Sequence, residues 1–267
     1  KVKPLIELME ALPTVILGFL AGLWLAPFIE RNLPGFFSVL LVMPVGVLVF
    51  AYVWSRVPSL IRHKVPDGFH AVLLAPVVIA ITWASFASSE SLEALFFAGD
   101  MRAWLTHDMG VSFDQRNALV VGVAMGFAVI PTIFSITEDA IFSVPKSLTY
   151  GSLALGATPW QTLIGVVIPT ASPGIFSALM IGMGRAVGET MIVLMATGNT
   201  PIMDANIFEG MRTLAANIAV EIGETEVDST HFRVLFLAAF VLFLFTFVVN
   251  TAAEIVRQRL RKKYGSL

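Results

Sequence analysis

Runs of about twenty apolar residues, separated by short polar stretches, leave this chain one class of fold. A helix of about 20 residues crosses the ~30 Å hydrocarbon core of a bilayer. The runs fall at 13–29, 36–54, 69–88, 117–136, 174–197 and 233–253. Only 13% of the 267 residues are charged, and the mean hydropathy is +0.83, whereas a soluble domain carries about 25% charge. The chain is therefore expected to be an all-α polytopic membrane protein, one transmembrane domain of about six helices over 1–267. Pro44 is expected to kink the second span. The polar stretch 89–116, with Phe96 and Trp104 among acids, reads as an amphipathic interfacial segment.

The sequence contains no cysteine, which excludes disulfide and thiolate chemistry. His63, His70, His107 and His231 are scattered without metal-ligand spacing, so no metal site is expected and each reads as ordinary polar surface. The chain begins at Lys1 with no signal-peptide pattern, as a piece of a longer protein would. Lys and Arg set the orientation. Lys1, Lys3, Arg56, Arg62, Lys64, Lys146, Arg257, Arg259, Arg261, Lys262 and Lys263 fall on one side, and Arg31, Arg102, Arg116, Arg212 and Arg233 on the other. This bias places both ends and 137–170 in the cytoplasm, and 198–232 outside.

Residues 148–175 read LTYGSLALGATPWQTLIGVVIPTASPGI. A short helix is expected to about Leu155, then a break at Gly156, then a second helix capped by Thr158 with Pro159 in its first turn. Pro169 and Pro173 are expected to end that helix and turn the chain into the membrane. A helix–glycine–helix outside the bilayer suits either a cytoplasmic partner or an interfacial loop touching only lipid.

LALGATPWQTLIGVVIP resembles the coupling motif of ABC-transporter permeases, known as the EAA pattern. Gly156 takes its glycine position, Val166 and Ile168 its apolar positions and Pro169 its proline, while Tyr150, Gly151 and Ser152 stand where Glu-Ala-Ala is usual. Further stretches, IPTIFSITEDAIFSVPKSL, GRAVGETMIVLMATGN, KPLIELMEALPTVILGF and RTLAANIAVEIGE, are similar to the PstC-type permease of the phosphate-specific ABC importer. The resemblance implies a type-1 importer architecture with a cytoplasmic coupling helix. It implies a pair of cytoplasmic ATPase subunits that hold ATP and Mg, a second permease of the PstA type, a periplasmic phosphate-binding protein, and inorganic phosphate as cargo. It implies the bacterial inner membrane, further spans before Lys1, and a hairpin inserted at 36–88. No phosphate-cradling Gly-Lys-Ser/Thr loop occurs, so the chain is expected to hold no cofactor and to be no enzyme itself. No nucleic-acid partner is expected.

One feature inside the fifth run is costly. GMGRAVGET places Arg185 and Glu189 among apolar residues. A charge at the bilayer centre costs about 2.5–3.5 kcal/mol on insertion scales, so the two must pair, line water, or both. On one continuous helix the i, i+4 spacing puts them on one face. One reading is a structural ion pair with no transport role. The other makes Arg185 the anion site of a pathway, Glu189 its counter-charge in the empty state and Thr190 a neighbouring polar group. The resemblance favours the second, because this Arg and Glu are associated there with phosphate passage. The pairs Gly18/Gly22, Gly122/Gly126 and Gly184/Gly188 are small-xxx-small patterns expected at close helix contacts. The loop 198–232 carries Asp204, Glu209, Glu221, Glu224, Glu226 and Asp228 against Arg212, and suits either docking of a binding protein or plain solvation. Rival readings are a permease for another oxyanion such as molybdate or sulfate, an ATP-independent secondary transporter or channel, and a non-transporting membrane scaffold.

Overall fold

The computed structural model describes residues 3–58 and 70–264. The expectations for Lys1, Arg62, His63 and Lys64 lie outside the described residues. In chain order the helices are α1 (Lys3–Glu10), α2 (Thr14–Arg31, with a π turn at Ala21–Leu25), α3 (Leu33–Arg56), α4 (His70–Ala87), α5 (Ser89–Phe96), α6 (Met101–His107), α7 (Ala118–Phe142), α8 (Lys146–Ala154), α9 (Pro159–Val187, with a π turn at Leu163–Val167), α10 (Met191–Ala196), α11 (Leu214–Glu221) and α12 (Thr230–Tyr264). Among the described residues there is no strand. Among the described residues five helices are long and apolar enough to cross a membrane: α2, α3, α7, α9 and α12. A sixth crossing results if α4 and the α5–α6 segment, bent by 47°, count as one broken span. Large apolar side chains such as Leu41 and Leu48 on α3 and Phe240 and Phe243 on α12 stand exposed, as suits surfaces facing lipid tails.

Where one undivided domain is expected, contacts divide the chain into two compact units, Lys1–Leu23 with Arg116–Leu267, and Trp24–Gln115. In the second unit α3 packs on α4. Gly35 lies against the Ser85 carbonyl, and its N–H donates to Ser89 Oγ at 3.2 Å. Asp100 caps α6 by accepting from the N–H groups of Arg102 and Ala103, and Arg102 Nη1 lies 2.7 Å from Glu30 Oε1.

The first unit is built on α7 and α9, which pack closely. A side chain at Gly182 would meet Ile133 and Val129, and one at Gly174 would meet Ala140. These glycines allow the close approach that membrane helices use in place of a hydrophobic driving force. Lys3 Nζ lies 2.7 Å from Glu138 Oε2 near the end of α7, while Glu10 Oε1 accepts from Thr132 Oγ1 at 3.2 Å farther up the same helix. So α1 runs antiparallel to α7. The start of α2 packs on α10.

The stretch 137–170 holds the end of α7, which continues to Phe142, then α8, then the start of α9 at Pro159. Glu138 lies on that end of α7, where Lys3 balances its charge. Two expectations are corrected here. Pro169 and Pro173 do not end the helix. The π turn Leu163–Val167 precedes Pro169, and a π turn loosens the ladder where a proline cannot donate. Pro173 removes the N–H that would reach the Pro169 carbonyl, and Ser172 Oγ donates to that carbonyl instead, at 2.8 Å. Likewise, the run 174–197 is not one helix: α9 ends at Val187 and α10 begins at Met191.

Candidate functional site

Arg185 lies in the last turn of α9, and Gly188 ends the helix. Its side chain is one-third exposed. Nη1 donates to Thr132 Oγ1 of α7 at 2.7 Å and lies 3.5 Å from Glu10 Oε1 at the end of α1. The Thr132 hydroxyl accepts from Arg185 and donates to Glu10. Three helices thus converge on one guanidinium. Only Nη1 bonds to the described residues, so the Nε–Nη2 edge keeps its donors for something else.

Glu189 does not pair with Arg185. Its Oε1 accepts from the backbone N–H groups of Thr190, Met191 and Ile192 at 3.2, 3.1 and 3.3 Å. The i, i+4 geometry needs a continuous helix. Once Gly188 ends α9, the carboxylate meets the unsatisfied N–H groups at the start of α10, which favour an anion. Thr190 Oγ1 donates to the Gly188 carbonyl at 3.2 Å and helps close the break. Thr132 and Glu10 were missed by sequence reasoning. The polar IPT and LME steps beside apolar runs were the available signal.

The glycine pairs separate. A Cβ at Gly18 would lie 2.9 Å from the Met191 carbonyl oxygen and one at Gly22 2.5 Å from that of Met195. They hold α2 on α10, the helix that follows Glu189. Gly122 and Gly126 meet nothing within 4 Å, and Gly184 only Asn250 Oδ1 at 3.7 Å. Gly188 meets only carbonyls of its own helix. Within this chain Gly122 and Gly126 therefore mark no close helix contact, while Gly184 faces Asn250 of α12. A cavity of about 300 Å³ between α9 and α12 is lined by Ser177, Asn250, Glu254 and Arg257. Arg185 does not line it. Among the described residues no group of three His, Asp or Glu side chains is placed to hold a metal ion.

The second feature is the elbow between α8 and α9. Gly156 has φ +87°, the left-handed region that glycine enters without strain. Thr158 and Gln161 form a reciprocal capping box at the start of α9. Ser152 and the buried Thr162 join their hydroxyls at 3.0 Å across the turn, so Ser152, at a position the motif gives to alanine, braces the elbow. Gly151 faces open space. Tyr150, Leu155 and Trp160 stand exposed around the bend, Leu155 at 91%. Val166 lies in the π turn, with Ile168 and Pro169 following it.

In the loop before α12, Arg212 Nη2 lies 3.0 Å from Glu221 Oε1, and His231 Nε2 lies 3.2 Å from Glu221 Oε2. Arg212 Nε also donates to Asn199 Oδ1 at 3.0 Å. Glu221 and His231 are thus tied into the fold rather than plain surface polarity.

A family model described as binding-protein-dependent transport system inner membrane component matches residues 2–262. The chain belongs to that family. As a member of this permease family, with at least five apolar helices, it is a multi-pass inner-membrane protein of ABC type-1 architecture. It is 38% identical over 51% of its length to the probable ABC transporter permease protein YqgH of Bacillus subtilis, covering 45% of that protein. It is 31% identical to the phosphate transport system permease protein PstC 1 of Mycobacterium tuberculosis, over 81% of this chain and 67% of that one. It is 27% identical to PstC of Xylella fastidiosa, over 91% and 76% respectively. This permease chain thus spans less than half of the Bacillus relative and two thirds to three quarters of the other two. No solved structure matches it.

Proposed function

We propose that this chain is a permease subunit of an ATP-driven importer and passes inorganic phosphate across the inner membrane, with Arg185 as the anion-binding group of its pathway. The observation that carries this reading is the half-engaged guanidinium. Arg185 is held by Thr132 and Glu10 through Nη1 alone, among apolar helices, with its Nε–Nη2 edge open. A guanidinium stays charged at any relevant pH, and its planar fork matches two oxyanion oxygens. Relatives named as phosphate transport permeases supply the cargo.

The elbow at Gly156, with its exposed Tyr150, Leu155 and Trp160, suits a groove on a cytoplasmic ATPase. ATP and Mg belong to that partner and not to this chain. A second permease of the PstA type and a periplasmic phosphate-binding protein complete the assembly. Both ends and the elbow lie on the cytoplasmic side, and the loop carrying Glu224, Glu226 and Asp228 lies outside. Helices α3 and α4, which pack on each other, belong to the inserted hairpin.

The test is copurification followed by reconstitution into vesicles with the partners recovered. Phosphate uptake that requires ATP and exceeds sulfate and molybdate uptake is expected. Uptake that survives without ATP but collapses with an ion gradient would point to a secondary transporter, and preference for sulfate or molybdate would reassign the cargo.

A further inference from the structure

We infer that Glu10 is a removable counter-ion of Arg185, an internal competitor that keeps the anion site weak enough to release its cargo. This rests on the reading of Arg185 as the anion site. Three observations carry it. Glu10 Oε1 lies 3.5 Å from Arg185 Nη1 and accepts from Thr132 Oγ1, so a carboxylate charge stands beside the guanidinium edge left open for an oxyanion. Glu10 is the last residue of α1, and extended backbone at Pro13 separates it from α2. Its side chain is 45% exposed and, among the described residues, bonds through Oε1 only. Glu10 can therefore swing without breaking a long helix.

Glu189 cannot serve in this way, because three backbone N–H groups hold it. Arg185 without a partner would bind a multiply charged oxyanion tightly among apolar helices and trap it. Conduction needs a site favourable enough to enter and weak enough to leave. Glu10 supplies the second condition. An arriving oxyanion forks onto Nε and Nη2, and its negative charge repels the carboxylate on Nη1. The Thr132 hydroxyl then turns its proton from Glu10 to an anion oxygen. When the carboxylate returns, it helps discharge the anion.

The test is equilibrium binding of radiolabelled inorganic phosphate to the assembled importer, without binding protein or nucleotide. The readout is the component of binding that Arg185→Gln abolishes. Glu10→Gln removes the competing charge, and this component is expected to tighten about tenfold, since a partly exposed ion pair and one hydroxyl bond no longer oppose the anion. Glu10→Asp, one methylene shorter, should give a smaller gain of the same sign, and it carries the test if Glu10→Gln does not assemble. A merely structural Glu10 would not raise affinity. Unchanged or weaker binding in these variants overturns the proposal and leaves Arg185 as the anion site. If Arg185→Gln abolishes no component at all, the anion-site reading fails, and this inference with it.

Discussion

Arg185 Nη1 reaches Thr132 Oγ1 at 2.7 Å, across two helices whose sequences are far apart, while the nearby Glu189 turns to the backbone of the next helix. The Thr132 hydroxyl is the hinge of this arrangement, since it accepts from the guanidinium and donates to Glu10. Thr132→Val keeps the shape and removes both bonds. A hydrogen bond to a charged group contributes about 1.5–3 kcal/mol, so phosphate uptake should fall about tenfold or more at unchanged membrane insertion. Initial uptake rate per inserted transporter is the measure. A wild-type rate would mean that Arg185 needs no positioning from α7.

Glu189 makes a different prediction from the one its spacing suggests. Because its carboxylate caps α10, Glu189→Ala should cost about 1 kcal/mol, in the usual range for a lost cap. Glu189→Gln, which keeps a carbonyl acceptor, should cost less. Thermal melting of the purified protein distinguishes them. Equal loss in both variants would mean that the negative charge, not the accepting geometry, holds the break.

The elbow is testable at Gly156. Its φ of +87° excludes β-branched residues without strain, a penalty of about 1–2 kcal/mol. Gly156→Val should insert normally and yet separate ATP hydrolysis from uptake. Gly156→Asn should be milder, because asparagine visits the left-handed region. The ratio of ATP hydrolysed to phosphate transported reports this. A wild-type ratio in Gly156→Val would remove the elbow from the coupling path.

Gly22 and Gly122 provide a matched pair for packing. A Cβ at Gly22 would press to 2.5 Å on the Met195 carbonyl oxygen, whereas Gly122 faces open space. Gly22→Ala should destabilise the isolated chain by about 1–3 kcal/mol, the usual overpacking cost, and Gly122→Ala should not. Detergent melts of the two variants decide it, and equal melting temperatures would contradict the packing of α2 on α10.

Much of this fold could be read from the sequence because lipid imposes a simple rule. Long apolar runs marked α2, α3, α7, α9 and α12, and Gly156 with Thr158-Pro159 marked the elbow. Failures came where local spacing was asked to settle tertiary questions. The i, i+4 pairing of Arg185 with Glu189 assumed a helix that Gly188 ends. The partner that Arg185 does have, Glu10, is distant in sequence and carries no spacing signal. The small-xxx-small pattern indicates room for a neighbour but not its presence, so Gly18 and Gly22 looked the same as Gly122 and Gly126. Proline is a usual helix stop, but at Pro169 and Pro173 a π turn and the Ser172 hydroxyl absorb the missing donors.

The central claim is that the Arg185 fork carries the anion, and Arg185→Lys measures it most directly. Lysine keeps the positive charge but replaces the planar fork with a point charge. In vesicles holding the complete importer with ATP inside and phosphate-loaded binding protein outside, Arg185→Lys should lower phosphate uptake at least about tenfold while the subunits still copurify. Uptake at the wild-type rate in that variant would contradict the account.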